Sequence, residues 1–134
     1  VLPRYVSHPG SPHDRLTGWT GMRDAPETDL VDPLRRHAGR AVAVLDKDIY
    51  SLFTPAGARL VRDRGWTDLY LCGIATEGCV LKTAVDAFER GLSPWVLTDA
   101  VASHAGEQAH QAGLLVAGRY IGRQRLIPAV AAPR

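Results

Sequence analysis

The stretch from Leu69 to Phe88 constrains this chain most. Leu69-Tyr-Leu-Cys-Gly-Ile74 is an apolar run of strand length that breaks at a short polar turn, Ala75-Thr-Glu-Gly78. From Cys79 onward the apolar positions Val80, Ala84, Ala87 and Phe88 recur at helical spacing until Gly91 stops the pattern. A strand that feeds directly into a helix is the repeating unit of a parallel sheet.

The same alternation runs through the rest of the chain. Val1 to Val6, Ala41 to Leu45, Pro94 to Thr98 and a short Arg125 to Ile127 read as further strands. Helices are predicted over Thr28 to Gly39, over Cys79 to Arg90 and over Gly106 to Arg119. Another helix is N-capped by Thr54, with Pro55 at its first position and Gly65 at its end. Ser7 to Gly21, with its prolines, glycines and histidines, reads as a long loop, and an Ala/Pro-rich tail follows Pro128. With no internal repeat and no linker, the expected fold class is α/β. It is read as a single domain over residues 1–134, a three-layer α/β/α arrangement around a mostly parallel sheet.

Composition removes several function classes. A hydrophobic content of 46% with 22% charged residues is that of an ordinary globular protein, and 134 residues bury enough surface for a core without staples. No apolar run approaches the ~20 residues of a membrane span, and the N-terminus shows no export signal. The chain therefore reads as cytoplasmic. A net charge of +2 with dispersed arginines leaves no nucleic-acid footprint. Cys72 falls inside a strand, where it is expected to be buried, and Cys79 at a helix start, so two free thiols are expected.

In a parallel sheet, ligands bind outside the carboxyl ends of the strands. Cys79, opening a helix there, meets backbone N–H groups and the helix dipole, which favour a thiolate and can receive charge developing on a carbonyl oxygen. The alternative for such a cysteine is space filling. Lys47 follows the strand Ala41 to Leu45 at the same edge, where its charge stabilises a thiolate or an oxyanion; the alternative is a solvated lysine between Asp46 and Asp48. His8, His13 and Trp19, in the long loop, are candidates to line a substrate pocket.

Lys47-Asp-Ile-Tyr-Ser-Leu-Phe-Thr54, Leu71-Cys-Gly-Ile-Ala-Thr-Glu-Gly-Cys-Val80, Thr83-Ala-Val-Asp-Ala87, Gly91 and Thr98-Asp-Ala100 resemble the isochorismatase-like cysteine hydrolase superfamily. The resemblance covers nearly the whole chain. It implies a six-stranded parallel sheet and an Asp, Lys, Cys triad that attacks carbon–nitrogen bonds of small-molecule amides or carbamoyl compounds. Cys79 would be the nucleophile and Lys47 the triad lysine. Ala75, Gly78 and Cys79 would form the oxyanion turn, with a cis peptide near Ile74-Ala75. Homo-oligomers, dimers or tetramers, are implied in the same way.

Two departures from the family pattern matter. The family's aspartate ends a first strand that has no counterpart here, because Val1 matches the second strand; the chain is therefore read as truncated at its N-terminus relative to the family. Asp46, Asp48 and Asp99 are not expected to replace that acid, Asp99 being assigned a structural hydrogen bond. The loop Ser7-His-Pro-Gly-Ser-Pro-His-Asp14 lacks the Asp-x-His of metal-binding members, so neither a metal nor another cofactor is expected. Glu77 is read either as orienting the turn or as a plain acid at a helix start. The competing reading is a non-catalytic member that keeps the fold for binding or assembly.

Overall fold

A computed structural model describes residues 1–131. Strand β1 (Leu2–Tyr5) pairs in parallel with β2 (Val44–Lys47), and the register sets Tyr5 opposite Lys47 at the carboxyl ends. A second parallel sheet has the order β3-β4-β5, with β3 at Asp68–Ile74, β4 at Ser93–Ala102 and β5 at Leu126–Ile127. The α/β class with parallel pairing is therefore as the sequence predicts, but the described residues hold five strands in two sheets, of two and three strands, rather than one sheet.

Helices α3 (Pro55–Asp63), α4 (Leu81–Glu89) and α5 (Glu107–Ala117) carry the core. One buried cluster joins Val80, Ala84, Val96, Val101 and Ile121, and a second joins Phe53, Val61, Leu69 and Ala87; Leu71 packs against both. Leu69, Leu71 and Val96 thus turn one strand face toward the helices. Alternation sends Tyr70, Cys72 and Ile74 to the opposite face, where all three are exposed. Cys72 is thus exposed and not buried as expected, because alternation places it opposite Leu71, the residue that packs into the core.

Several boundaries differ from the sequence reading. The loop Ser7 to Gly21 contains helix α1 (Pro12–Thr17), in which Ser11 Oγ accepts from the Asp14 N–H at 3.2 Å and Gly18 closes the end at φ 69°. The helix expected over Thr28 to Gly39 is cut to α2 (Asp32–Arg35) and a 3-10 turn at Ala38–Arg40; Pro33 is accommodated only in a first turn, so no helix runs through it. The strand expected at Ala41 to Leu45 lies later, which makes Lys47 its last residue. Helix α3 is capped as predicted, Thr54 Oγ1 accepting from the Gly57 N–H at 3.1 Å. The helix expected from Cys79 begins earlier, with a π-helical turn at Thr76–Val80 that leads into α4.

Of the Ala/Pro-rich tail, Ala129–Ala131 forms a 3-10 turn and residues 132–134 lie outside the described part. No helix of the described residues is long and apolar enough to cross a membrane.

Candidate active site

The carboxyl ends of β1, β2 and β3 deliver Tyr5, Lys47 and the turn after Ile74 to one place. Lys47 is only 7% exposed, and a buried ammonium needs partners for its N–H groups. Nζ donates to the carbonyls of Ile49 at 2.9 Å and Tyr50 at 2.8 Å, and to Cys79 Sγ at 3.3 Å. Three acceptors match its three protons. The Tyr5 ring centroid lies 5.5 Å from Nζ, within cation–π range.

The loop that supplies the two carbonyls is itself anchored. The Leu52 N–H donates to Thr83 Oγ1 on α4 at 3.0 Å, and the Phe53 N–H donates to buried Ser51 Oγ at 3.0 Å. Burial works to raise the carboxyl of Asp86, also on α4, but Lys82, Ser51 and Arg90 outweigh it and hold Asp86 below its ordinary range. The helix that follows the cysteine therefore also holds the loop that holds the lysine.

The Ile74–Ala75 peptide is cis, in the place the resemblance implied. Beyond it the Ala75 carbonyl accepts from the N–H groups of Gly78 at 3.0 Å and Val80 at 3.2 Å, and Gly78 leaves helical geometry at φ −109°, ψ −105°. This break turns half-buried Cys79 toward Lys47. Of the three residues the resemblance implied for the oxyanion turn, Gly78 gives its N–H to the Ala75 carbonyl, and Ala75, Gly78 and Cys79 all stand in the turn beside Lys47.

Glu77 faces away from the chemistry, its Oε1 accepting from Ser103 Oγ at 2.7 Å. Burial works against its charge, yet the hydrogen bonds from Ser103 and the turn's own N–H, with His104 and His110 nearby, hold its carboxyl below the ordinary range. This is the turn-orienting role of the two that the sequence allowed. Thr76, 1% exposed, shares a hydrogen bond of 2.8 Å with His110 Nδ1.

The predicted loop residues divide. Trp19 stands in an aromatic cluster with Tyr5 at 6.0 Å and His13 at 5.4 Å, and His13 meets Tyr50 at 5.1 Å, between ring centroids. His8 instead bonds Asp48 at 3.1 Å on the surface, where the Pro9 carbonyl and Asp48 raise its pKa. Engaged separately in this way, His8 and His13 do not fit a shared metal ion. Asp46 is held by Arg4 at 2.8 and 2.9 Å, Asp48 by His8, and Asp99 accepts from the Ala129 N–H at 2.6 Å. None of the three reaches Lys47, as the sequence predicts.

The sequence assigns no site role to Tyr5 or Tyr50, and it does not pair Thr76 with His110. Tyr5 carries a visible signal, an aromatic residue at the carboxyl end of a predicted strand. Its phenol is raised in pKa chiefly by burial.

A family model described as the isochorismatase domain matches residues 3–122. Ureidoacrylate amidohydrolase RutB of Methylobacterium radiotolerans is 36% identical to the chain, over 84% of the chain and 49% of its own length. The nicotinamidase of Acinetobacter baylyi is 40% identical over 40% of the chain and 28% of its own length. In structure, nicotinamidase PncA from Bacillus subtilis superposes with a TM-score of 0.78 at 28% identity, covering 94% of this chain and 72% of that one. The chain spans less than half the length of these curated relatives. With the family model running through β1, β2, β3 and β4 and through the Lys47–Cys79 pair between them, the chain belongs to the isochorismatase family.

Proposed function

We propose that the chain carries the nucleophile and lysine of a cysteine hydrolase that opens a carbon–nitrogen bond of a small-molecule amide or carbamoyl compound. The observation that carries this reading is the 3.3 Å contact between Lys47 Nζ and Cys79 Sγ at the carboxyl edge of the strands. The relatives named as an amidohydrolase and a nicotinamidase support the same bond class.

In the proposed reaction the Cys79 thiolate, its charge held by the Lys47 ammonium, attacks the carbonyl carbon. A C–S bond forms, the C–N bond breaks, and the amine leaves with a proton delivered from the lysine side. Water then adds to the thioester and returns a proton to the lysine side, the C–S bond breaks, and the acid product leaves with the thiolate and the ammonium both restored. Trp19 and the rings of Tyr5, His13 and Tyr50 form the proposed substrate wall.

One observation favours the second reading, a member that keeps the fold without turnover: no carboxylate among the described residues contacts the Lys47–Cys79 pair. Ammonia release from a panel of primary amides and carbamoyl compounds separates the two. Turnover that disappears in Cys79→Ala is the expected result; no release from any member of the panel would leave the second reading standing.

A further inference from the structure

We propose that His110 on α5 is a positioning residue for the nucleophile, acting through the hydroxyl of Thr76. The inference rests on the hydrolase reading and assigns a device that sets where its thiol stands. Cys79 follows Gly78, whose backbone has left helical geometry, and the turn's own hydrogen bonds close on the Ala75 carbonyl, so where the sulfur stands depends on how the start of the turn is held. What fixes the start of the turn is α5. The Thr76 hydroxyl, on a residue 1% exposed, has His110 Nδ1 at 2.8 Å. One helical turn on, a Cβ at Gly113 would stand 2.8 Å from the Glu77 nitrogen and 2.9 Å from its Cα, so only glycine lets α5 lie against this backbone.

A second anchor comes from the end of β4. Ser103 Oγ donates to Glu77 at 2.7 Å while accepting from the Ala105 N–H at 2.9 Å, which ties the same turn to the loop leading into α5. Two consecutive residues, Thr76 and Glu77, are thereby pinned three and two positions ahead of the cysteine. Removing the His110 bond frees the first of them, and a displacement of about 1 Å at a reacting group costs about 10²-fold in rate.

The test compares His110→Leu with His110→Asn, which keeps a hydrogen-bonding group near the Nδ1 position. For each we would measure kcat and KM for amide hydrolysis, the thermal midpoint, and the ratio of Cys79 to Cys72 alkylation by iodoacetamide read from peptide masses. Exposed Cys72 serves as the internal reference. The expected result is a loss of about 10²-fold in kcat for His110→Leu with KM little changed, substantial recovery in His110→Asn, and an altered alkylation ratio only in the leucine variant. Unchanged kcat in His110→Leu, or equal loss in both variants in step with their thermal midpoints, would overturn the proposal. Should the wild type hydrolyse no amide, the hydrolase reading fails by itself, and the alkylation ratio decides the positioning role: a shift in His110→Leu supports it, and no shift overturns it.

Discussion

Lys47 Nζ lies 3.3 Å from Cys79 Sγ although 32 positions separate the two residues in the chain. The contact exists because β2 ends on Lys47 and β3 ends just before the turn that carries Cys79, so two strand ends present their side chains to each other. Both partners are further held from α4, directly through the turn and indirectly through Thr83 and the loop that supplies the lysine's carbonyl acceptors.

Replacing the lysine tests that arrangement from one side. In Lys47→Met the thiol loses its charged neighbour and the carbonyls of Ile49 and Tyr50 lose their donor. We expect kcat to fall by about 10² to 10⁴ and stability to drop by about 1 to 3 kcal/mol from the unpaired carbonyls. Steady-state kinetics together with urea unfolding check both; a variant with wild-type kcat would remove Lys47 from the mechanism.

Asp86 gives the site's stability a pH dependence whose sign is fixed. Its folded pKa lies below the ordinary carboxylate value of about 4. The stabilisation is therefore complete above the unfolded pKa and is lost as pH falls through the folded one. Urea midpoints of wild type and Asp86→Asn should differ most near neutrality and converge in acid. A gap that stays constant down to the acid limit would contradict the assignment.

Trp19 tests the substrate wall. It sits 5.4 Å from His13 and 6.0 Å from Tyr5, one ring removed from the lysine. Trp19→Ala should raise KM by about 2- to 13-fold, the loss of an aromatic contact worth about 0.5 to 1.5 kcal/mol, while kcat stays close to wild type, because the ring binds ground state and transition state alike. A fall in kcat at unchanged KM would move Trp19 from binding to chemistry.

The fold was legible where one pattern decided an element. Strand β3 and the capped helix α3 stand within a residue of the sequence reading because alternation and the Thr54-Pro55 start leave little choice. Helix α1 was missed because Ser11, Pro12 and Gly18 are read equally well as loop breakers or as caps. The pairing of Cys79 with Lys47 was legible as two residues at one sheet edge, whereas the anchoring of Thr76 by His110 was not. That contact needs α5 folded back over the turn, and nothing local in Gly106 to Arg119 marks the face that does so. Cys72 was misplaced for a related reason: alternation says that it opposes Leu71 but not which face the helices cover.

The most direct test of the account is acid-quench peptide mass spectrometry during amide turnover. The account predicts a transient acyl adduct on the peptide carrying Cys79, none on the peptide carrying Cys72, and no adduct in Lys47→Met. Hydrolysis that proceeds with Cys79 unmodified at every quench time, or an adduct that builds on Cys72 instead, would contradict it.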